Sequence, residues 1–394
     1  MGFATTTCRK YYTVEQDTLA TSLGAIAQPV AIRTLVTCAL LVLLSSLAAI
    51  AGVKNQDYQK PPIKLGVSGG PESCHKGKPL TGTLGALVAV PDPQQPGKTR
   101  RAALSNAHIL SCDNDTVGSI IQPGAEDLKK DKKPETVAMS GKTVKIEYDK
   151  ENTIDAAIAY ENLVSCGAVF LGTPCFSEDG SILDIGPVSQ TLAKPAKEMK
   201  VQKSGRSTGV TNGVIEDPDF KAVVKFGTKD VTFVHQILIK DKDFCKGGDS
   251  GSLVVEPQDK EKRPKPVGLL FGKAEKSELC VANPIDKVLE AFKASFAADF
   301  QLPGERNDSS DVTPDPAPDW RWDAVRLVRD RYDYFLSKLP EVVGEGVNLS
   351  QDGSGDVVIR LYLRRASPEA LKSIPKEVEG VRIETVESGD FVAL

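Results

Sequence analysis

Residues 247–252 read Gly-Gly-Asp-Ser-Gly-Ser, and the apolar run Leu253-Val254-Val255 follows them directly. The glycines on both sides of Ser250 allow a tight turn in which backbone N–H groups point at one spot. A turn of this kind can hold the oxyanion of an acyl-transfer intermediate beside a serine nucleophile. The apolar run predicts a buried strand that holds Ser250 in place. A serine in a glycine-rich turn is more often an ordinary turn residue, so a nucleophile also needs a base and an orienting group elsewhere in the chain.

The chain supplies a candidate for each of these groups upstream of the turn. It has only three histidines, and His108 ends an apolar, strand-like run. Asp155 opens a second apolar segment, where a buried carboxylate needs a partner such as an imidazole N–H. The order His108, Asp155, Ser250 differs from the triad orders of subtilisin-like and α/β-hydrolase folds. His75, in a loop-like segment, and His235, in a strand-like segment, are interpreted as having no catalytic role.

Three blocks of sequence resemble the catalytic blocks of trypsin-like serine proteases: Leu104–His108, Asp155–Ala159 and the Gly-Asp-Ser-Gly-Ser block Gly248–Ser252. Flanking blocks at 65–70, 81–88, 203–209, 267–272 and 282–285 are similar to those of a bacterial and plant trypsin-like subgroup. The resemblance covers about residues 63–295 and implies a chymotrypsin-like double β-barrel. It also implies that Ser250 is the nucleophile, His108 the general base and acid, and Asp155 the orienting carboxylate. The backbone N–H groups of Gly248 and Ser250 would form the oxyanion hole.

The spacing of apolar residues predicts a mainly β chain with two folded parts. In residues 52–300, short Val, Ile and Leu runs alternate with Gly, Pro, Asn and Asp, which is typical of an antiparallel barrel or sandwich. Helical periodicity is limited there to residues 285–296. Residues 301–319 are rich in Pro, Asp and Ser and are interpreted as a linker.

The last part of the chain, residues 320–394, predicts a small α+β domain. We expect a helix over 322–339, strands at 342–349 and 357–363, a helix at 368–374 and a strand at 381–386. This part has no His and no Cys, so we assign it packing, substrate presentation or partner binding and not chemistry. Because few contacts should cross such a linker, we expect a chain cut after Leu302 to remain soluble.

The N-terminal segment predicts export. Residues 34–53 carry no charge and follow Arg33, and Ala49-Ile50-Ala51 has the small-x-small form of a signal-peptidase site. We therefore expect residues 1–51 to be a secretory signal cleaved after Ala51. An uncleaved signal anchor is the alternative, because about 20 uncharged residues can just span a bilayer. The protein is expected to be secreted, periplasmic or in the cell envelope, with residues 34–53 as its membrane anchor in the alternative.

Six cysteines remain after residue 51, an even number that suits an exported protein with disulfide bonds. The resemblance implies the pairs Cys74–Cys112 and Cys245–Cys280, which leaves Cys166–Cys175. No Cys-x-x-Cys or His/Cys cluster favours the alternative of a metal site. The predicted chemistry calls for no metal and no cofactor.

The charge of the chain limits the classes of partner. It has 49 Lys and Arg against 53 Asp and Glu, a formal net charge of −4, which argues against nucleic-acid binding. Membrane contact is expected only through the N-terminal segment. A serine endopeptidase acting on proteins or peptides is the first hypothesis. The alternatives are a catalytically silent binding or scaffold protein on the same fold, and an esterase that uses the same triad.

The candidate for the substrate-specificity residue depends on how the residues before the turn are counted. Asp243 precedes Cys245 by two residues, where trypsins carry the acid that binds Lys or Arg. Counting back from Ser250 instead places Phe244 there, because the interval from Cys245 to Ser250 is one residue longer than in trypsins. Both Asp243 and Phe244 therefore remain candidates for a substrate-specificity residue.

Overall fold

The computed structural model describes residues 54–74, 77–112, 118–130, 132–162, 166, 174–259, 262–296 and 319–394. The signal segment 1–51, His75 and most of the linker lie outside these residues. None of the helices in the described ranges is long and apolar enough to cross a bilayer.

The first sheet has seven strands. They are β1 (Val67–Pro71), β2 (Gly82–Leu84), β3 (Ala86–Pro91), β4 (Thr99–Ser105), β5 (Ser119–Gln122), β6 (Glu135–Thr143) and β7 (Ala157–Glu161), in the order β2-β1-β5-β6-β7-β4-β3. Only Gly85 separates β2 from β3. Because β2 pairs with β1 and β3 pairs with β4, this almost continuous strand joins the two ends of the sheet into a barrel.

The second barrel contains six strands and one closing helix. The strands are β8 (Lys200–Gly205), β9 (Gly209–Phe226), β10 (Lys229–Lys240), β11 (Leu253–Glu256), β12 (Lys265–Ala274) and β13 (Leu279–Pro284). They run in the order β10-β13-β12-β11-β8-β9, and pairing of β9 with β10 closes the ring. The helix α2 (Ile285–Phe292) follows β13 directly and ends at Lys293, which has φ 52°. A four-residue helix, α1 (Ala107–Leu110), follows β4 in the first barrel. The chain thus forms a chymotrypsin-like double barrel.

The C-terminal part has the predicted order of elements with two additions. It contains α3 (Trp320–Leu336), β14 (Val342–Leu349), β15 (Val357–Leu363), α4 (Pro368–Ser373), β16 (Glu377–Val378), β17 (Val381–Glu387) and β18 (Phe391–Ala393). The short strands β16 and β18 are the additions. The helix begins two residues earlier than predicted because the Asp319 side chain accepts a hydrogen bond from the Arg321 N–H and caps its first turn. Phe335, near the end of this helix, is exposed.

The expectation of few contacts between the C-terminal part and the barrels is wrong. β14 pairs with β9 through Gly344 and Ala222, so the second barrel and the C-terminal strands form one sheet. Val343, Tyr362 and Phe391 belong to the same apolar core as the barrel residues. Residues 54–394 accordingly form a single compact unit. The linker composition predicted few contacts between the parts, but it contains no information about how their surfaces fit.

Ion pairs with buried arginines also join the C-terminal part to the second barrel. The guanidinium of Arg329, on α3, lies 2.8 Å from Asp219 of β9, and that of Arg360, on β15, lies 2.9 Å from Glu216. Both arginines are buried. Removing one partner of such a pair leaves an uncompensated buried charge, so these contacts hold the two parts in one relative position.

Three disulfide bonds join the described cysteines. Their Cα atoms are 5.7 Å apart in Cys74–Cys112, 5.2 Å in Cys166–Cys175 and 6.4 Å in Cys245–Cys280. These are the pairs that the sequence suggested. Among the described residues no group of three or more His, Cys, Asp or Glu could hold a metal ion.

Candidate active site

The turn that carries Ser250 lies between the two barrels and needs glycine for two separate reasons. Gly248 and Gly251 have φ values of +93° and +91°, which glycine adopts readily. A Cβ on Gly251 would also lie 2.1 Å from the Ser105 Oγ. Across the interface, a Cβ on Gly85 would lie 1.8 Å from the Gly251 carbonyl oxygen. The break between β2 and β3 therefore occurs where the first barrel meets the turn.

Thr83, in β2, fixes the turn from the side of the first barrel. Its N–H donates to the Ser250 carbonyl oxygen at 2.8 Å, and its hydroxyl donates to the Gly248 carbonyl oxygen at 3.0 Å. Both carbonyl groups are thereby directed toward the first barrel. The N–H groups of Gly248 and Ser250 donate to no acceptor in the part of the chain that the structure describes. They are the two groups expected to form an oxyanion hole.

The structure brings His108, Asp155 and Ser250 together. The Nε2 of His108 lies 2.9 Å from the Ser250 Oγ, and its Nδ1 is hydrogen-bonded to the Asp155 Oδ2. The Oδ1 of Asp155 also accepts the N–H groups of Ala107, at 2.7 Å, and His108, at 3.2 Å. The start of α1 is thus attached to the same carboxylate that holds the imidazole, which fixes both the position and the orientation of the ring.

Charge and burial shift the pKa of His108 in opposite directions. Burial lowers the pKa of the imidazole, but the negative charge of Asp155 and its hydrogen bond raise it, and the carbonyl oxygen of Leu394 adds to the rise. The net result is a pKa above 6.5, the usual value. Phe226, at the end of β9, contacts the imidazole edge-to-face with ring centroids 5.6 Å apart.

Two buried asparagines hold the main chain of Asp155. The Asn283 side chain accepts the Asp155 N–H at 2.9 Å and donates to its carbonyl oxygen at 3.1 Å. Asn106 donates to the same carbonyl oxygen at 2.7 Å. Asn283 comes from the second barrel, so it connects that barrel to the main chain of Asp155 in the first. Its block, Ala-Asn-Pro-Ile, was recognisable in the sequence, although its role was not.

Asp249, beside the nucleophile, forms a buried ion pair with Lys203 of β8. The Nζ of Lys203 lies 3.4 Å from the Asp249 Oδ2, and neither side chain is exposed. Burial lowers the pKa of Lys203, and the charge of Asp249 opposes this change. The Asp249 carboxylate also accepts N–H groups from Ser207 at 2.8 Å and Lys246 at 2.9 Å. A cation from within the chain thus holds the turn in position.

The two candidate specificity residues lie in different surroundings. Asp243 is exposed and is not part of the cleft beside His108, which has a volume of about 700 Å³. Its position gives no support to a preference for Lys or Arg. Phe244 is fully buried in the apolar cluster inside the second barrel, which also contains Cys245 and Cys280. His235 is exposed and bonded to Asp219, away from Ser250.

The end of the sequence lies in the cleft, which the sequence pattern did not predict. β18 lies between β12 and β9, with Ala393 opposite Gly272 and Phe391 opposite Val224. The next residue, Leu394, has its carbonyl oxygen 3.3 Å from the His108 Nε2. A three-residue strand after Gly389 is too short to give a periodic pattern.

Comparisons with known proteins give one family match. A family model described as the Nal1 C-terminal domain matches residues 176–289, a range that contains most of the second barrel and the nucleophile turn. No curated protein matches the chain.

Several solved structures are similar to this chain at low identity. One is a glutamic-acid-specific serine protease, with 15% identity, a TM-score of 0.38, and coverage of 59% of this chain and 99% of that chain. Nocardiopsis protease NAPase has 12% identity, a TM-score of 0.38, and coverage of 59% and 97%. Thermobifida fusca protease A has 14% identity, a TM-score of 0.37, and coverage of 59% and 97%.

Proposed function

We propose that the protein is an exported serine endopeptidase that hydrolyses peptide bonds through an acyl-enzyme. The observation that carries this proposal is the 2.9 Å contact between the Ser250 Oγ and the Nε2 of His108, whose other nitrogen is bonded to Asp155. In this arrangement the imidazole can accept the serine proton, and the carboxylate keeps the N–H on Nδ1. Protein or peptide substrates are the class that fits the cleft between the barrels.

The first half of the proposed reaction forms the acyl-enzyme. Ser250 Oγ bonds to the carbonyl carbon of the substrate as its proton moves to His108 Nε2, and the carbonyl oxygen takes the negative charge. The N–H groups of Gly248 and Ser250 are available to bind that oxygen. The carbon–nitrogen bond then breaks, and His108 gives its proton to the leaving amine.

The second half repeats these steps with water. His108 takes a proton from the water as its oxygen bonds to the acyl carbon, and the bond to Ser250 Oγ then breaks. The proton returns to Ser250, so the acid is released and the enzyme is restored. These steps use only groups of the chain and water.

Export is part of the same proposal. Three disulfide bonds suit an oxidising compartment, and residues 1–51 have the pattern of a secretory signal. Secretion, a periplasmic location and attachment to the cell envelope through residues 34–53 are all compatible with these two features.

Covalent labelling by a fluorophosphonate, followed by intact-mass measurement, tests the proposed chemistry. Because Leu394 lies against His108, the test uses both the full chain and a chain that lacks residues 392–394. Ser250→Ala should remove the adduct, whereas Ser252→Ala, which removes the other serine of the turn, should keep it. If neither parent chain reacts under conditions that label trypsin, the protein is a binding or scaffold protein and the proposal is wrong.

A further inference from the structure

The segment Val392–Leu394 lies in the cleft as an extended strand. Within it, Ala393 is opposite Gly272 and Val392 is opposite Lys273, in antiparallel register with β12. The Leu394 N–H continues the ladder and donates to the Phe271 carbonyl oxygen at 3.0 Å. Main-chain pairing of this kind is how a sheet edge binds an extended peptide, whatever its sequence.

The ladder ends at the nucleophile. The Ser250 Oγ lies 3.2 Å from the same Phe271 carbonyl oxygen. The His108 Nε2, which is bonded to Ser250, lies 3.3 Å from the Leu394 carbonyl oxygen. The Leu394 carbonyl oxygen therefore contacts the base and not the N–H groups of Gly248 and Ser250, so the main chain of the segment reaches the catalytic groups without the exact pose of a reacting acyl group. Ser250 itself is buried.

The Leu394 side chain identifies the chemistry of the pocket beneath it. It packs against the apolar cluster inside the second barrel, whose members include Phe244 and the Cys245–Cys280 disulfide. The buried ammonium of Lys203, which lies 6.0 Å from the Phe244 ring centroid, is already paired with Asp249. Leu394 is partly buried against this cluster, so an aliphatic side chain gains from burial here, whereas an ionised Lys, Arg or Glu side chain would lose part of its hydration.

The preceding residues are anchored outside this pocket. Phe391 is fully buried, with ring centroids 5.4 Å from Phe220 and 6.3 Å from Tyr362. The Asp390 carboxylate lies 2.5 Å from the Arg364 Nε and 3.5 Å from the Lys225 Nζ. These contacts direct the last three residues of the sequence into the cleft.

We infer that Val392–Leu394 occupies the groove for the acyl side of the substrate, and that the protein prefers leucine or a similar aliphatic residue immediately before the scissile bond. The inference rests on the proposed function, because it names the substrate class of that site. The same segment competes with substrate, so it lowers the activity of the full chain.

Peptide binding to inactive protein tests the inference without depending on turnover. The ligands are acetylated and amidated Val-Ala-Leu, Val-Ala-Lys and Val-Ala-Glu, measured by calorimetry at up to millimolar concentration. The protein is Ser250→Ala lacking residues 392–394, so that Phe391 stays in the core. The leucine peptide should bind more than about tenfold tighter than the charged peptides, because each charged side chain would lose part of its hydration against the apolar cluster.

Full-length proteins supply the controls. Ser250→Ala with an intact tail should show no binding, and Leu394→Asp should restore it by expelling the segment from the apolar pocket. Leu371→Asp, which changes an exposed leucine of α4, should leave the groove filled. If the shortened chain fails to fold, Leu394→Asp decides the question alone.

Two results would overturn the inference. One is equal affinity for the three peptides, and the other is binding to the full-length Ser250→Ala chain that equals binding to the opened variants. Neither result bears on the proposed hydrolysis, which fails separately if Ser250 takes no fluorophosphonate in the shortened or Leu394→Asp protein.

Discussion

Lys203→Met offers a direct test of the ion pair that holds the nucleophile turn. Methionine fills most of the lysine volume, so the main loss is the charge beside Asp249, which is fully buried. Breaking a buried pair by removing one partner costs about 3–5 kcal/mol. The Asp249 carboxylate keeps hydrogen bonds from Ser207, Thr208 and Lys246. We therefore expect the lower end of that range, a loss of about 3 kcal/mol in the free energy of unfolding.

Urea unfolding measures this loss, and the rate of fluorophosphonate labelling measures its effect on the turn. Lys200→Met is the matched control, because Lys200 begins the same strand and is exposed; it should change stability by less than about 0.5 kcal/mol. Adding Asp249→Asn to Lys203→Met removes the unpaired carboxylate charge and should recover part of the lost free energy of unfolding. A Lys203→Met protein as stable and as reactive as the parent would refute the claim that this pair holds the turn.

Three further outcomes follow from the structure. The labelling rate should fall as the pH drops through an apparent pKa above 6.5, because Asp155 raises the pKa of His108 and only the neutral imidazole can accept the serine proton; a midpoint below 6 in the pH profile of labelling would contradict this. Asp155→Asn should lower the labelling rate by about 10⁴-fold, because asparagine favours the wrong tautomer of His108. A labelling rate close to that of the parent would show that Asp155 does not orient His108. A chain that ends at Leu302 should aggregate or unfold at lower urea than the parent, since it loses Phe391 from the core and strand β14 from the sheet edge; a soluble product with parental stability would show that the barrels do not need the C-terminal strands.

Local patterns predicted most of the C-terminal elements because each strand or helix there carries its own periodicity. The strands β14 and β15 have the predicted bounds. The turn around Ser250 was recognisable because its chemistry restricts the residue types at adjacent positions. His108 and Asp155 could be named because the chain has few histidines and because an Asp in an apolar segment needs a partner.

Contacts between distant segments were not predictable in the same way. The pairing of Lys203 with Asp249 depends on how β8 lies beside the turn, and nothing in either segment specifies the other. The docking of β14 on β9 joins two edges that each look complete by themselves. Leu394 reaches His108 only because the C-terminal strands are fixed on the second barrel, a consequence of tertiary packing and not of the tail sequence.

The assignment of Ser250 as the nucleophile is tested most simply by the mass of the protein after reaction with a fluorophosphonate, followed by peptide mapping. We expect one adduct per chain, located on Ser250, which forms faster in Leu394→Asp than in the parent and is absent in Ser250→Ala. An adduct on another residue, or no adduct in either the parent or Leu394→Asp, would contradict the assignment of Ser250 as the nucleophile.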